Sequence, residues 1–163
     1  MIVVTGATGF IGSALIWALN QRKEKDILAV DIADHKEKLH NLAPLQFRKI
    51  ITKEEFRTRL AKGEFNNSGI RAIVHLGAIS STTEQNWNLL DDLNVKFSKE
   101  IIEWCAARNI RCIYASSGAT YGQGELGYSD NHSLFDSLQP LNLYGKSKLL
   151  VDIWALNRGF LGA

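Results

Sequence analysis

Met1–Gly12 (MIVVTGATGFIG) decides the fold. An apolar run, Met1–Thr5, has the character of a buried strand and leads straight into Gly6, Gly9 and Gly12, three glycines at a spacing of three. The chain then continues as a helix over Phe10–Gln21, with Ile11, Leu15, Ala18 and Leu19 at helical spacing. Strand, glycine turn and helix in that order is the context in which glycines serve a phosphate. They let backbone approach a pyrophosphate, and the following helix start offers unpaired N–H groups and the positive end of its dipole. Gly6, Gly9 and Gly12 are therefore candidate cofactor contacts, with Phe10 and Ile11 in the same turn. A second strand, Ile27–Asp31 (ILAVD), ends in an acid 19 residues after Gly12, where a carboxylate would meet the adenosine ribose. Asp31 and the adjoining Ile32 join the candidate set.

The same alternation continues outward from this unit. Leu45–Ile51 reads as a weak third strand. Lys53–Lys62 reads as a helix capped by Thr52, with Glu55 three residues on, and Ala72–Leu76 as a fourth strand. A long helix is expected within Glu84–Asn109, where Leu90, Leu93, Phe97, Ile101, Trp104 and Cys105 share one face. Arg111–Ala115 is a fifth strand, Gly118–Pro140 a long loop, and Asn142–Asn157 a last helix with Leu149, Leu150, Ile153 and Trp154 apolar. Strands alternating with helices predict an α/β fold, a Rossmann-like doubly wound parallel sheet with helices on both faces.

Composition narrows the function classes. The chain has 163 residues, 45% of them hydrophobic, and 19 Lys+Arg against 17 Asp+Glu, a balanced mix able to build a core. A local basic excess lies in residues 36–62, where eight Lys/Arg face three Glu, a net of +5. A solvated face and a phosphate-bearing ligand both account for it; with an overall charge of only +2, no nucleic-acid partner is expected. Two cysteines, Cys105 and Cys112, and no secretory signal suit a reducing compartment, and no apolar run approaches a membrane span, so a cytoplasmic protein without a membrane partner is expected. No metal-ligand spacing, ATP-binding glycine–lysine loop or serine nucleophile elbow is present. Lys38, seven residues after Asp31, and Lys53, with Lys36, would hold a 2′-phosphate, which favours NADP. Asp31 argues for NAD, which stays open as the alternative.

A second constellation lies near the end of the sequence. Tyr144 and Lys148 are four apart, so a helix puts them on one face. A phenol is a poor base at neutral pH until a nearby ammonium favours its anion, and such a pair then moves a proton at a carbinol while hydride moves to a nicotinamide.

The glycine turn, YASSGATYG (Tyr114–Gly122) and YGKSK (Tyr144–Lys148) together resemble the extended short-chain dehydrogenase/reductase family, from Met1 to about Trp154. The resemblance implies that Ser117 orients the substrate oxygen beside Tyr144 and Lys148, with Ser116 as second choice. It also implies that Leu76, Gly77 and Ala78, in HLGA, meet the cofactor and that Asn94 matches a family asparagine. His75 on its own reads as structural. HLGAISSTTE (His75–Glu84) and PLNLYGKSK (Pro140–Lys148), with the Lys38 region, narrow the likeness to the ADP-L-glycero-D-manno-heptose 6-epimerases of lipopolysaccharide-precursor synthesis. By that likeness Ser80, with Ser81, Thr82 and Thr83, lies near cofactor and an ADP-sugar substrate. The likeness also implies that hydride leaves C6″ of the heptose and returns to the opposite face of a transient ketone. Residues 1–163 would then be the NAD(P)-binding domain. The carboxy-terminal substrate domain, with a second acid/base, would be absent, so turnover by this chain alone is not expected. Two further expectations follow: a homo-oligomer, since Leu89, Ile102 and Trp154 on the two long helices either form subunit contacts or bury against the chain's own loops, and an open sheet edge at the fifth strand.

Overall fold

The computed structural model describes residues 1–32 and 36–161, apart from the side chains of Lys36 and Glu37. Lys36 as a phosphate ligand thus lies outside the described side chains. The chain divides into two compact units, Met1–Gly77 with Trp104–Tyr114, and Ala78–Glu103 with Ala115 onward.

The first unit holds the whole sheet: β1 (Ile2–Thr5), β2 (Ile27–Asp31), β3 (Lys49–Thr52), β4 (Ala72–His75) and β5 (Arg111–Tyr114). All strands run parallel in the order β3-β2-β1-β4-β5. Val4 pairs with Ala29 on one side and Val74 on the other. The central strands are apolar without alternation, as buried parallel strands are: Val3, Val4, Ala29 and Ile73 are wholly buried. Burying Val3, Val4 or Ile73 contributes roughly 1.5–3 kcal/mol each. The order starts in the middle and reverses across β1/β4, which is the Rossmann switch point, and the glycine turn leaves β1 there.

Helix α1 (Phe10–Gln21) packs on β1 through Leu15, Ile16 and Leu19. The expected face is shifted: Ile11 and Ala18 are exposed, while Gly12 and Ile16 are buried. A short helix, α2 (Lys36–Leu39), follows β2. The third strand starts later than the apolar run suggests, because Leu45 and Phe47 fill the core from the preceding loop. Helix α3 (Lys53–Ala61) packs on β2 and β3, and Thr52 accepts the Glu55 N–H at 3.0 Å, the cap its sequence predicts.

The long helix has three parts: α4 (Trp87–Leu90), a π-helical turn Asp91–Lys96, and α5 (Phe97–Ala106). The wider turn slips the face by one residue, so Asn94 and Val95 are buried where Leu93 is only half-buried. Beyond it, Phe97, Ile101, Trp104 and Cys105 are buried as the spacing predicts. The expected loop after β5 holds two 3₁₀ turns, Gly118–Tyr121 and His132–Ser137. Helix α6 (Leu143–Asn157) is capped by Asn142, which accepts the Gly145 N–H at 2.8 Å. Ile102 is buried, and half-buried Trp154 packs edge-on against Phe160 with Lys99 over its ring. β5 forms one edge of the sheet, with Ile113 52% exposed. No described helix is long and apolar enough to cross a membrane.

Candidate functional site

In the first unit the glycine turn closes on its own backbone. The Gly9 N–H donates to the Gly6 carbonyl (3.1 Å), and the Ser13 N–H to the Gly9 carbonyl (3.0 Å). Gly6 has φ +67, and a Cβ there would sit 2.8 Å from the Gly77 nitrogen. A Cβ on Gly12 would sit 2.1 Å from the Gly6 carbonyl oxygen. No side chain caps α1, and its first turn carries no acid. Phe10 is 88% exposed and Ile11 65%. Bare backbone, uncapped N–H groups and an open approach fit a dinucleotide's pyrophosphate.

Behind the turn, Thr5 ties β1 to β4. Its hydroxyl accepts the Gly77 N–H (3.0 Å) and pairs with His75 Nδ1 (2.6 Å). His75 is buried and stacks on Tyr114, in keeping with its structural reading.

Asp31 does more than its sequence position suggests. Oδ2 accepts both the N–H and the hydroxyl of Thr8 (2.7 Å each), and Oδ1 accepts the Ile32 N–H (2.8 Å). Asn41 donates to the Thr8 carbonyl at 2.9 Å. The carboxylate thus braces the turn, with lone-pair capacity remaining. Lys38 is exposed on α2. Lys53 pairs with Glu54 at 3.6 Å. Much of the basic stretch around it is similarly committed: Arg48 to Asp26, Lys49 to Glu55, and Arg59 to Glu55 and Glu64. That pattern is a solvated, ion-paired face.

The second unit holds the other constellation. Tyr144 is half-buried one turn before Lys148 on α6. Lys148 is buried, and its ammonium donates to the Ala115 carbonyl at 2.8 Å. Burial lowers its pKa to about 8, against the opposing pull of Asp152. Asp152, another turn on, is buried and accepts the Ser116 hydroxyl. Burial pushes its carboxyl up, while the Ser116 bond and Lys148 hold it back. Ser116 is therefore committed to Asp152, and Ser117 caps the first 3₁₀ turn by accepting the Ala119 N–H at 3.2 Å.

Asn94 joins three segments of this unit. It accepts the Ile79 N–H (2.8 Å) and donates to the Ile79 carbonyl (2.9 Å) and to Ser147 (3.0 Å). Ser147 in turn donates to the Tyr144 carbonyl at 2.6 Å. Gly145 lets α6 approach the Ala119 carbonyl, which a Cβ would meet at 2.5 Å. Ser80, Ser81, Thr82 and Thr83 are exposed, and Ser81 and Thr83 bond to each other (2.9 Å).

Sequence reasoning missed Asp152 and Ser147. Asp152 carried a readable signal: it stands four after Lys148, the spacing that had already joined Tyr144 to Lys148. Ser147 carried none, since its role depends on the π-helical turn presenting Asn94.

The model of the NAD dependent epimerase/dehydratase family matches residues 2–159. The chain is 44% identical over 160 residues to the ADP-L-glycero-D-manno-heptose-6-epimerase of Fusobacterium nucleatum, covering 97% of this chain and 48% of the relative. It is 40% identical over 161 residues to the protein of that name from Nitratidesulfovibrio vulgaris, covering 99% and 50%. Among solved structures, the Helicobacter pylori ADP-L-glycero-D-manno-heptose-6-epimerase shares the fold at a TM-score of 0.79 and 23% identity, over 96% of this chain and 50% of that one. MoeE5, solved with UDP-glucose and NAD, aligns at 0.72 and 28% identity, over 99% and 50%. The chain spans about half the length of the curated relatives it matches. It belongs to the NAD dependent epimerase/dehydratase family, and its fold is the Rossmann-like one of nucleotide-sugar epimerases.

Proposed function

We propose that this chain is the cofactor-binding and partly catalytic portion of an NADP-dependent nucleotide-sugar epimerase acting at C6″ of an ADP-heptose. The observation that carries the cofactor half is the glycine turn, where a Cβ at Gly12 or Gly6 would strike backbone and the start of α1 has no side-chain cap. The 40–44% identity to ADP-heptose epimerases supports the substrate class.

Gly6, Gly9, Phe10, Ile11 and Gly12 hold the pyrophosphate. Asp31, Ile32, Lys38 and Lys53 surround the adenosine ribose. Leu76, Gly77, Ala78, Ser80, Asn94 and Lys148 complete the cofactor contacts. The bound nicotinamide supplies a reversible hydride acceptor. Tyr144 moves the proton at the sugar oxygen, Lys148 steers it from one turn away on α6, and Ser117 orients that oxygen. Asp152 is a positioning residue that holds Ser116 and keeps Lys148 charged. The sugar contacts and the second acid/base come from the part of the longer relatives that this chain does not cover. A cytoplasmic homo-oligomer is the setting this reading implies.

Calorimetric titration with NADP⁺ and NAD⁺ tests the reading. Tighter NADP⁺ binding that weakens in Lys38→Ala supports it. Tighter NAD⁺ binding transfers the reading to an NAD enzyme. Binding of neither removes it.

A further inference from the structure

Thr8 is buried in the glycine turn, and all three of its polar groups are taken within the first unit. Its N–H and hydroxyl go to Asp31 Oδ2 at the end of β2. Its carbonyl accepts the side-chain amide of Asn41 at 2.9 Å. One residue of the turn thus fastens both the strand end and the chain just past α2.

Asn41 stands where the anchoring of this segment changes. After it the chain is held closely. Leu42 is buried in the core cluster with Val4 and Ala29, and the Gln46 main chain exchanges two bonds with the Asn20 side chain on α1 (2.7 and 2.8 Å). The Arg48 N–H donates to the Ile27 carbonyl at 2.8 Å. Before it, Lys38, Leu39 and His40 are all exposed. Among the described residues, Asn41 is the first after β2 whose side chain ties the chain back to the glycine turn. Its own N–H donates to the Lys38 carbonyl at 3.1 Å. The main chain of Lys38 is therefore two hydrogen bonds from Thr8, the residue that also holds Asp31.

We propose that Asn41 is a positioning residue for cofactor choice: by holding the Thr8 carbonyl it fixes the main chain of Lys38 at the node that carries Asp31, so that the lysine offsets that carboxylate for a ribose bearing a 2′-phosphate. The assignment rests on the cofactor reading above, and in it Asn41 acts only through Lys38. A carboxylate repels a 2′-phosphate but accepts from a 2′-hydroxyl, so only the phosphate needs the cation held in place. A lysine whose main chain is free must be ordered when the phosphate binds, which costs conformational entropy. A main chain already tied to the turn lowers that cost for the phosphate-bearing cofactor alone.

The test titrates the chain with NADP⁺ and with NAD⁺ by calorimetry, as wild type, Asn41→Ala, Asn41→Leu, Lys38→Ala and the double variant Lys38→Ala/Asn41→Ala. Asn41→Leu keeps the side-chain volume and removes the amide donor. Both single Asn41 variants are expected to weaken NADP⁺ binding by about tenfold and NAD⁺ binding by less than about threefold. In the Lys38→Ala background the selective loss of NADP⁺ is expected to vanish, because the lysine that carries it is gone. Binding of NAD⁺ shows in the same titrations that each variant is folded. With a wild type that prefers NADP⁺, no change in the Asn41 variants, an equal loss of both cofactors, or a selective loss that persists without Lys38 each overturns the proposal and leaves the cofactor reading standing. A wild type that prefers NAD⁺, or that binds neither, overturns the cofactor reading and the proposal with it.

Discussion

Asn94 bonds both backbone groups of Ile79, accepting its N–H at 2.8 Å and donating to its carbonyl at 2.9 Å. A side-chain amide thus replaces a strand neighbour for the chain that follows β4. Its remaining amide hydrogen goes to Ser147, so one wholly buried residue fastens that segment to α6.

Asn94→Ala should therefore cost more than an ordinary polar deletion. It strands the N–H and carbonyl of Ile79 and removes a partner from Ser147. A loss of about 2–4 kcal/mol in urea unfolding is expected. A loss below about 0.5 kcal/mol, within the range of a surface change, would contradict this account.

Gly12→Ala tests the turn. The added methyl would lie 2.1 Å from the Gly6 carbonyl oxygen, and backbone must move to admit it. Calorimetry should detect no binding of either nicotinamide cofactor, with a lowered unfolding midpoint. Wild-type affinity in this variant would show that the turn relaxes without cost.

Lys148 makes stability depend on pH in a definite direction. Its pKa falls from an ordinary 10.5 to about 8 in the folded chain, so between those values the unfolded chain binds more protons. Stability from this group therefore rises with pH across about 8 to 10.5, by up to about 3 kcal/mol. The difference between wild type and Lys148→Met isolates it from other titrations. A flat difference across that window would refute the burial argument.

Asp152 pulls the Lys148 pKa upward. Asp152→Asn should drop the lysine's titration below about 8, read by NMR of isotope-labelled lysine side chains. Under the proposed function, the alkaline limb of activity moves down by the same amount. An unchanged lysine titration would leave Asp152 with only its Ser116 contact.

The fold was legible because the deciding signals are local. Met1–Gly12 states strand, turn and helix in consecutive residues, and Thr52 with Glu55 states a cap. What escaped were features set by partners distant in the chain. The face of α1 turned because Gly12, not Ile11, meets the glycine turn. The helical period failed at Asp91–Lys96, where a π turn buries a polar Asn94 in place of Leu93. Asp31 reads as a ligand contact from its place at a strand end, yet three of its bonds go to its own chain, which only the fold reveals. Tyr144 and Lys148 were visible as a pair, while the Asp152–Ser116 link depends on α6 meeting the segment after β5.

The meeting of Gly6 and Gly77 limits how this sequence can change. Most steric conflicts in proteins admit a suppressor, since the neighbour can shrink. A methyl on Gly6 instead meets the main-chain nitrogen and Cα of residue 77, atoms that every amino acid carries. No second-site side-chain replacement can make that room, so the mutational route away from glycine at position 6 is closed from both ends.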